Sequence, residues 1–274
     1  MQTNVFNDMG KYWQEIADKG PTKQQIQFIK NNIKHSPQNW ILDLGCGTGR
    51  HTIPLTKEGY NIIGIDTATN LLKIAKQHTP QIHLIKADIQ HLPFKEKTFT
   101  TALSIDNSFS YLPNEEAEIK SLKQLQKTLH QNATLIIDVF NYEQLKTKYP
   151  PHNIKNLKWL PLNTLIKHPN TLTQHLLTFY TWQTYTNFYL LQKRTLNQKT
   201  QQLTDLWVTK NKTNKKTHTF HHTTHIYKPN HLQNILSKTG FNTTHIYGNY
   251  TNQTFNKKST RLIIIAKNNS QNTP

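Results

Sequence analysis

Ile41-Leu42-Asp43-Leu44-Gly45-Cys46-Gly47-Thr48-Gly49-Arg50-His51 decides how the rest of this chain is read. An apolar run ends in glycines at alternate positions, three of the nine in the chain, and a helix-compatible segment from His51 to Lys57 follows. Strand, tight glycine loop and helix in that order present backbone N–H groups at a helix N-terminus, where an anion can meet them. The missing Cβ atoms permit positive φ angles and let a ligand approach the backbone closely. A bare tight turn would also use glycine, but it would not need these flanks.

The same alternation spreads outward. Asn61 to Asp66 is a second buried-strand pattern with a helix behind it at Asn70 to Lys76; Ile82 to Asp88 and Phe99 to Asp106 are further strands. A helix over Glu115 to Leu129 and a strand over Ala133 to Phe140 follow. Strands alternating with helices at this spacing predict an α/β fold, a Rossmann-like, doubly wound, mostly parallel sheet with right-handed crossovers. Residues 1–37 form an N-terminal helical approach, with Trp13, Ile16, Ile26, Phe28, Ile29 and Ile33 near helical spacing, a break at Gly20-Pro21 and Thr22 as N-cap. Between Tyr149 and Tyr227 aromatic and β-branched residues interleave with polar ones, which predicts an antiparallel β insertion after the fifth strand. Asn230 to Thr239 reads as a helix closed by Gly240, and Phe241 to Tyr247 with Arg261 to Lys267 as a strand pair returning to the first sheet. The expected domains are residues 1–37 as lid or approach, 38–148 with 228–267 as the Rossmann-like domain, 149–227 as the insertion, and 268–274 as a frayed tail.

Composition narrows the class. With 274 residues, 5 Trp, 11 Tyr and 11 Phe, the chain can bury a sizeable core and is not a disordered polymer. No stretch approaches the roughly 20 apolar residues of a membrane span. The N-terminus lacks the order of a signal peptide and the single cysteine, Cys46, cannot form an internal disulfide, so a reducing, cytoplasmic setting is expected. The 33 Lys+Arg against 15 Asp+Glu give a formal charge of +18, which would suit nucleic acid; yet only Arg50, Arg194 and Arg261 carry the forked donor that phosphate and base recognition favours.

Asp66 stands at the end of the second strand, where a carboxylate can accept from both hydroxyls of a ribose; Asp88 closes the third strand in the same way. Both describe a nucleoside-shaped ligand. A dinucleotide fingerprint would read G-x-G-x-x-G, whereas Gly45, Gly47 and Gly49 read G-x-G-x-G. These residues, D-x-G-C-G-T-G-R followed by G-I-D, resemble the class I S-adenosylmethionine-dependent methyltransferases, strongly over residues 38–141. The resemblance implies a seven-stranded sheet and S-adenosyl-L-methionine as cofactor. It implies that Asp43 with the Gly45, Cys46, Gly47 and Gly49 loop holds the methionine end, Asp66 the ribose, and Asp88 with Ile89 the adenine, with Thr67 and Ile105 as further cofactor-binding residues. Ser108 to Leu112 and the late Tyr247-Gly248 to Leu262 are similar to small-molecule methyltransferases, including sugar-nucleotide N-methyltransferases. Thr100, where the family usually has Asp, and Asn132-Ala133, where it usually has paired glycines, depart from the pattern.

Methyl transfer from a sulfonium is an in-line displacement that needs aligned reactants and excluded water more than a fixed catalytic group. Where the acceptor carries a proton, His51, Asp106 and Tyr111 are the candidate bases nearest the cleft, and His51 reads equally well as a packing residue. Tyr12 and Trp13 could cover the cofactor, as N-terminal aromatics do in related enzymes, or simply pack. His218, His221, His222 and His225 crowd together, but strand alternation splits them between two faces, so no metal is expected. The expected partner is a small-molecule methyl acceptor, with Trp159, Tyr180, Trp182, Tyr185 and Phe188 of the insertion forming a pocket wall, core or homodimer surface. RNA methylation is the alternative from charge, against which the Asn/Asp-Pro-Pro-Tyr signature is absent after the fourth strand and Cys46 belongs to the glycine loop. A cofactor-binding regulator without turnover is the third reading.

Overall fold

Adjacent residues of each central strand serve opposite layers of the core. In β1 (Trp40–Leu44), Leu42 and Leu44 pack into a cluster with Leu135, Ile137 and Ile264, while Ile41 joins Ile136, Ile263 and Ile265 on the other side. A strand buried on both faces has no use for polar alternation, which is why these strands read as unbroken apolar runs. The structure, a computed structural model, describes residues 5–148 and 176–269. The other strands of the first sheet are β2 (Asn61–Asp66), β3 (His83–Lys86), β4 (Phe99–Ser104), β5 (Leu129–Phe140), β10 (Phe241–Tyr247) and β11 (Arg261–Asn268). Their order is β10-β11-β5-β4-β1-β2-β3. Strands β1 to β5 pair in parallel, and β11 runs antiparallel to both β5 and β10. The fold is the seven-stranded, mostly parallel, Rossmann-like sheet that the sequence predicts, with the order reversing between β1 and β4. Ligands of open α/β sheets bind at such a reversal, beyond the carboxyl ends of the strands.

Helices cover both faces. One layer holds α6 (Glu115–Thr128) and α8 (Pro229–Lys238), which bury Leu122, Leu125, Leu232, Ile235 and Leu236. The other holds α3 (Thr22–Asn32) and α4 (Thr52–Lys57), through Ile26, Phe28, Ile29 and Leu55. The N-terminal approach is three helices, α1 (Val5–Met9), α2 (Lys11–Asp18) and α3, interrupted at Gly10 and at Gly20-Pro21. Thr22 does not cap α3 as the sequence suggests: Pro21 holds the cap position, and the Thr22 hydroxyl accepts from Arg50 Nη1 at 3.0 Å. α5 (Thr69–His78) follows β2, and α7 (Tyr142–Lys148), too polar to be read from the sequence, follows β5.

Two further differences have physical causes. β5 begins at Leu129 rather than Ala133 because its register slips from Phe99↔Leu129 to Thr101↔Thr134, with Asn132 in a left-handed conformation (φ 60). That is the backbone state that glycine adopts most easily. Asn268 is not the start of a frayed tail: it closes β11, and its buried Nδ2 donates to the carbonyls of Gln126, Leu129 and His130. Residues 270–274 lie outside the described residues.

The chain divides into two compact units, Met1–Gln144 with His225–Pro274, and Leu145–Thr224. The second unit's strands, β6 (Leu176–Thr184), β7 (Phe188–Asn197), β8 (Gln202–Asn211) and β9 (Thr217–His225), form one four-stranded sheet in sequence order, with β6–β7 and β7–β8 antiparallel. It buries Phe179, Leu190, Leu196, Leu203 and Trp207. It also buries an ion pair of Arg194 Nε with Asp205 Oδ1 at 2.7 Å, beside His222. Tyr185 and Phe188 stack in its interior, whereas Trp182 is exposed against Tyr189. Trp159 lies outside the described residues. The clustered histidines go separate ways: His218 stacks on Phe220, His222 faces Asp205, and His225 Nδ1 meets Glu118 Oε1 at 2.7 Å. Among the described residues no helix is long and apolar enough to cross a membrane.

Candidate functional site

The glycine loop hangs from β1 and is stitched to β2, since Ile65 O accepts from the N–H groups of both Gly45 (2.9 Å) and Cys46 (3.0 Å). Gly45, Gly47 and Gly49 all have positive φ, at 72°, 54° and 79°. A Cβ on Gly45 would come within 2.7 Å of Ser108 Oγ and Cβ, and one on Gly49 within 2.9 Å of Ile53. The loop is thus closed to larger residues for two reasons, backbone conformation and space.

Three carboxylates line the edge beyond β1, β2 and β3. Asp43 is fully buried, and its Oδ2 accepts from the Thr52 hydroxyl at 2.7 Å. Burial pushes its carboxyl up to about 6; the Thr52 bond and the Arg50 charge oppose the rise and Asp66 adds to it. Asp66 organises the backbone around the loop, with Oδ2 accepting from Gly47 N–H at 2.9 Å and Oδ1 from Ala68 N–H at 2.7 Å. Burial raises its carboxyl too, against those backbone bonds. Each oxygen retains a second lone pair for a ligand hydroxyl. Asp88 is half-buried and its Oδ1 accepts from Gln90 N–H at 2.8 Å, with Ile89 half-buried beside it; Ala87 N–H ties this segment to Asp66 O. Thr67 is exposed next to Asp66, and Ile105 is buried in the α3-side cluster. Cys46 is buried, and its thiol is driven well up by desolvation and by the charges of Asp43 and Asp66, which makes it a poor nucleophile. The structure therefore brings Asp43, the loop glycines and Asp66 together. Glycines at positive φ, carboxylates that could offset a cation or accept from a diol, and a half-buried apolar residue beside Asp88 are a residue set whose chemistry fits S-adenosylmethionine.

The candidate bases fare differently. His51 is buried and bonds inward, its Nε2 lying 3.0 Å from Gln25 Oε1; burial, then Arg50, hold its imidazole well below the usual range, so it is neutral. Asp106 follows β4 in a left-handed conformation (φ 58) and is paired with Arg50 Nη2 at 2.6 Å, its side chain 36% exposed. Tyr111 ends a single 3-10 turn, Ser108–Tyr111, and its ring meets Phe6 edge-on at 4.9 Å. Phe6 in turn meets Trp13 at 4.7 Å, and Gly47 lies close to Trp13 Nε1. The N-terminal cover over the loop therefore uses Phe6 and Trp13, while Tyr12 is half-buried alongside on α2.

Sequence reasoning missed a polar group at the ends of β4 and β5. Asp138, in β5, is completely buried. Its Oδ1 accepts from Arg261 Nε at 2.7 Å, and its Oδ2 from Tyr250 Oη at 2.8 Å and Asp106 N–H at 2.9 Å. The available signal was an acid inside an otherwise apolar strand, Ile136-Ile137-Asp138-Val139.

Residues 41–132 match a sequence-family model described as a methyltransferase domain. The glycine/sarcosine N-methyltransferase of Parasynechococcus marenigrum (strain WH8102) is 26% identical over 150 residues, which cover 53% of this chain and 53% of that protein. The chain spans 53% to 60% of the length of the first curated relatives it matches. In fold it is similar to the CcbJ methyltransferase from Streptomyces caelestis, with a TM-score of 0.76 at 13% identity over 98% of this chain and 100% of that one. It is also similar to a sugar N-methyltransferase from Streptoalloteichus sp, with a TM-score of 0.61 at 10% identity over 94% and 92%. The fold defines an α/β domain of the architecture that these methyltransferases share. More narrowly, residues 41–132 are similar in sequence to a methyltransferase domain.

Proposed function

We propose that this protein transfers a methyl group from S-adenosylmethionine to a small-molecule acceptor. The observation that carries the reading is the left-handed glycine loop joined to Asp66 and set beside buried Asp43 at the reversal point of the sheet. In this reading Asp43 and the loop from Gly45 to Gly49 hold the amino-acid end, Asp66 and Thr67 the sugar, and Asp88 with Ile89 the base, next to Ile105. When bound, the cofactor supplies an electrophilic methyl on a sulfonium. The protein's part is alignment and dryness: Phe6, Trp13 and Tyr111 close an aromatic cover, to which Tyr12 belongs, and the tight contact of Ser108 with Gly45 sets the acceptor-side wall. His51 is committed to Gln25, so where the acceptor must lose a proton, Asp106 is the candidate that can take it.

The arginines support a small acceptor over RNA. Arg50, Arg194 and Arg261 are each paired with an aspartate, Asp106, Asp205 and Asp138, with side chains 9%, 12% and 11% exposed. The net charge of +18 therefore reaches the surface through lysines, which attract anions without a planar fork to read phosphate or base. The relative named as a glycine/sarcosine N-methyltransferase and the structural neighbour named as a sugar N-methyltransferase point the same way. Incubation with methyl-labelled cofactor and a metabolite extract should yield a labelled small product. Label found solely in added RNA would overturn this reading in favour of nucleic-acid methylation, and cofactor binding without consumption in any pool would favour a regulator.

A further inference from the structure

The side chains that cofactor binding leaves unused form a closed circuit. Asp138 Oδ2 accepts from Tyr250 Oη (2.8 Å), and Tyr250 Oη accepts from Gln25 Nε2 (2.9 Å). Gln25 Oε1 accepts from Arg50 Nη1 (2.6 Å), and Arg50 Nη2 donates to Asp106 Oδ2 (2.6 Å). The Asp106 N–H returns to Asp138 Oδ2 (2.9 Å). The circuit joins α3, the exit of the glycine loop, the turn after β4, the end of β5 and the β10–β11 connection. Arg261 braces it by donating to Asp138 Oδ1 (2.7 Å) and, through Nη2, to Asn107 Oδ1 (3.2 Å).

Asp138 has the most demanding task in it. Asp106 (φ 58) and Asn107 (φ 71) are consecutive left-handed residues, a conformation that side-chain-bearing residues avoid. Both of their N–H groups are held by this one residue, Asp106 by its carboxylate and Asn107 by its carbonyl at 3.0 Å. The turn so held places Ser108 against Gly45, its hydroxyl donating between Ile105 O (3.1 Å) and Gly45 O (3.3 Å). Burying ionised pairs is a poor route to stability, since apolar replacements often do as well, so holding this local geometry better explains the arrangement.

We propose that Asp138 is a positioning residue for methyl transfer, holding the left-handed Asp106-Asn107 turn against the glycine loop. This rests on the methyltransferase reading and adds to it a residue remote from the cofactor motif. The test compares the unmodified protein with Asp138→Asn, Tyr250→Phe and the double variant Asp138→Asn/Asn107→Gly. Binding of S-adenosylhomocysteine is measured by calorimetry, and label transfer into a metabolite extract at saturating cofactor. Amide exchange at residues 105–108 and melting temperature complete the set. In Asp138→Asn the amide of 106, whose acceptor is the carboxylate, should exchange faster and transfer should fall about tenfold to a hundredfold, while binding stays within about threefold. Tyr250→Phe, which removes one donor and keeps the charge pair, should lie between. Glycine at 107 should recover much of the lost transfer, because it relaxes the strain without restoring the carboxylate. Unchanged protection of the turn, or a lower melting temperature with full transfer per folded molecule, would overturn the proposal and leave Asp138 a merely structural residue. If Asp138→Asn fails to fold, Tyr250→Phe decides by the same measurements. An unmodified protein that ignores S-adenosylhomocysteine would overturn the methyltransferase reading itself, and the proposal with it.

Discussion

Replacing Asp43 by Asn should move stability and cofactor affinity in opposite directions. The carboxyl is buried, and its folded pKa, about 6, lies above the ordinary 3.8, with desolvation the leading cause. A carboxyl shifted this way favours the folded state while protonated. That contribution is complete below about pH 4 and drains away as pH rises through about 6. At about 1.4 kcal/mol per unit, a gap of roughly two units makes ionised Asp43 cost about 3 kcal/mol at neutral pH, an upper figure. Asn keeps an oxygen that can accept from the Thr52 hydroxyl and carries no charge. The variant should therefore gain about 1–3 kcal/mol over the parent near neutral pH and lack the parent's loss between about pH 4 and pH 6. The affinity effect has the other sign. A unit charge pair about 5 Å apart at an effective dielectric of about 20 is worth about 3 kcal/mol, so discounting for solvent, S-adenosylmethionine should bind about ten- to a hundredfold more weakly. Urea unfolding across the acid-to-neutral range and calorimetric titration with the cofactor read the two effects separately. A variant that is less stable than the parent at neutral pH, or one that binds the cofactor with parental affinity, would refute the reasoning.

Three further substitutions probe the fold. Gly64→Ala would bring a Cβ within 2.7 Å of Cys46 Sγ and 2.9 Å of Leu84 Cδ2 in the β1–β2–β3 layer, and should cost about 1–3 kcal/mol in urea unfolding; an unchanged midpoint would contradict the tight packing described. Lys97→Gly relieves an exposed left-handed residue (φ 50) and should raise stability by about 0.5–1 kcal/mol, readable as a small increase in melting temperature, whereas a decrease would contradict the strain. Glu118→Ala leaves the Tyr227 hydroxyl and His225 Nδ1 without their shared buried acceptor and should cost about 2–4 kcal/mol, with Glu118→Gln recovering part of it; equal stabilities of the two variants would show that the hydrogen bonds do not matter.

Much of the fold was legible because its central strands are buried twice over. An apolar run such as Ile62-Ile63-Gly64-Ile65 has no amphipathic rhythm to misread, and the glycines and aspartates at its ends punctuate it. The early start of β5 was hidden by His130-Gln131-Asn132, polar residues that the register slip places at the sheet's rim. Asn268 looked like tail for the same reason: a polar side chain gives no sign in sequence that three carbonyls await it. The cofactor loop was legible for another reason, because one turn of chain builds it: Gly45, Gly47 and Gly49 take their left-handed angles within five residues, and the carboxylate that braces them ends the next strand.

The circuit through Asp138 obeys no such economy. Its members bond across gaps of 25, 56, 32, 112 and 225 residues, so no window of sequence contains two of them in a meaningful spacing. Such contacts form only after the sheet has closed and cannot shape the local propensities by which strands and helices are read. What remains in the sequence is residue type out of place: an aspartate among isoleucines in β5, an arginine at the head of Leu262-Ile263-Ile264-Ile265, and a further arginine just past the glycines in a chain that otherwise prefers lysine. Lysine could supply the charge at either position but not two divergent donors on one rigid plane, and both Arg50 and Arg261 use theirs to bridge different segments. In a chain this poor in arginine, Arg194 pairs across one hairpin with Asp205, whereas Arg50 and Arg261 each mark a place where separate parts of the fold are held at a fixed angle, and these two stand at the edge where the methyl group would change hands.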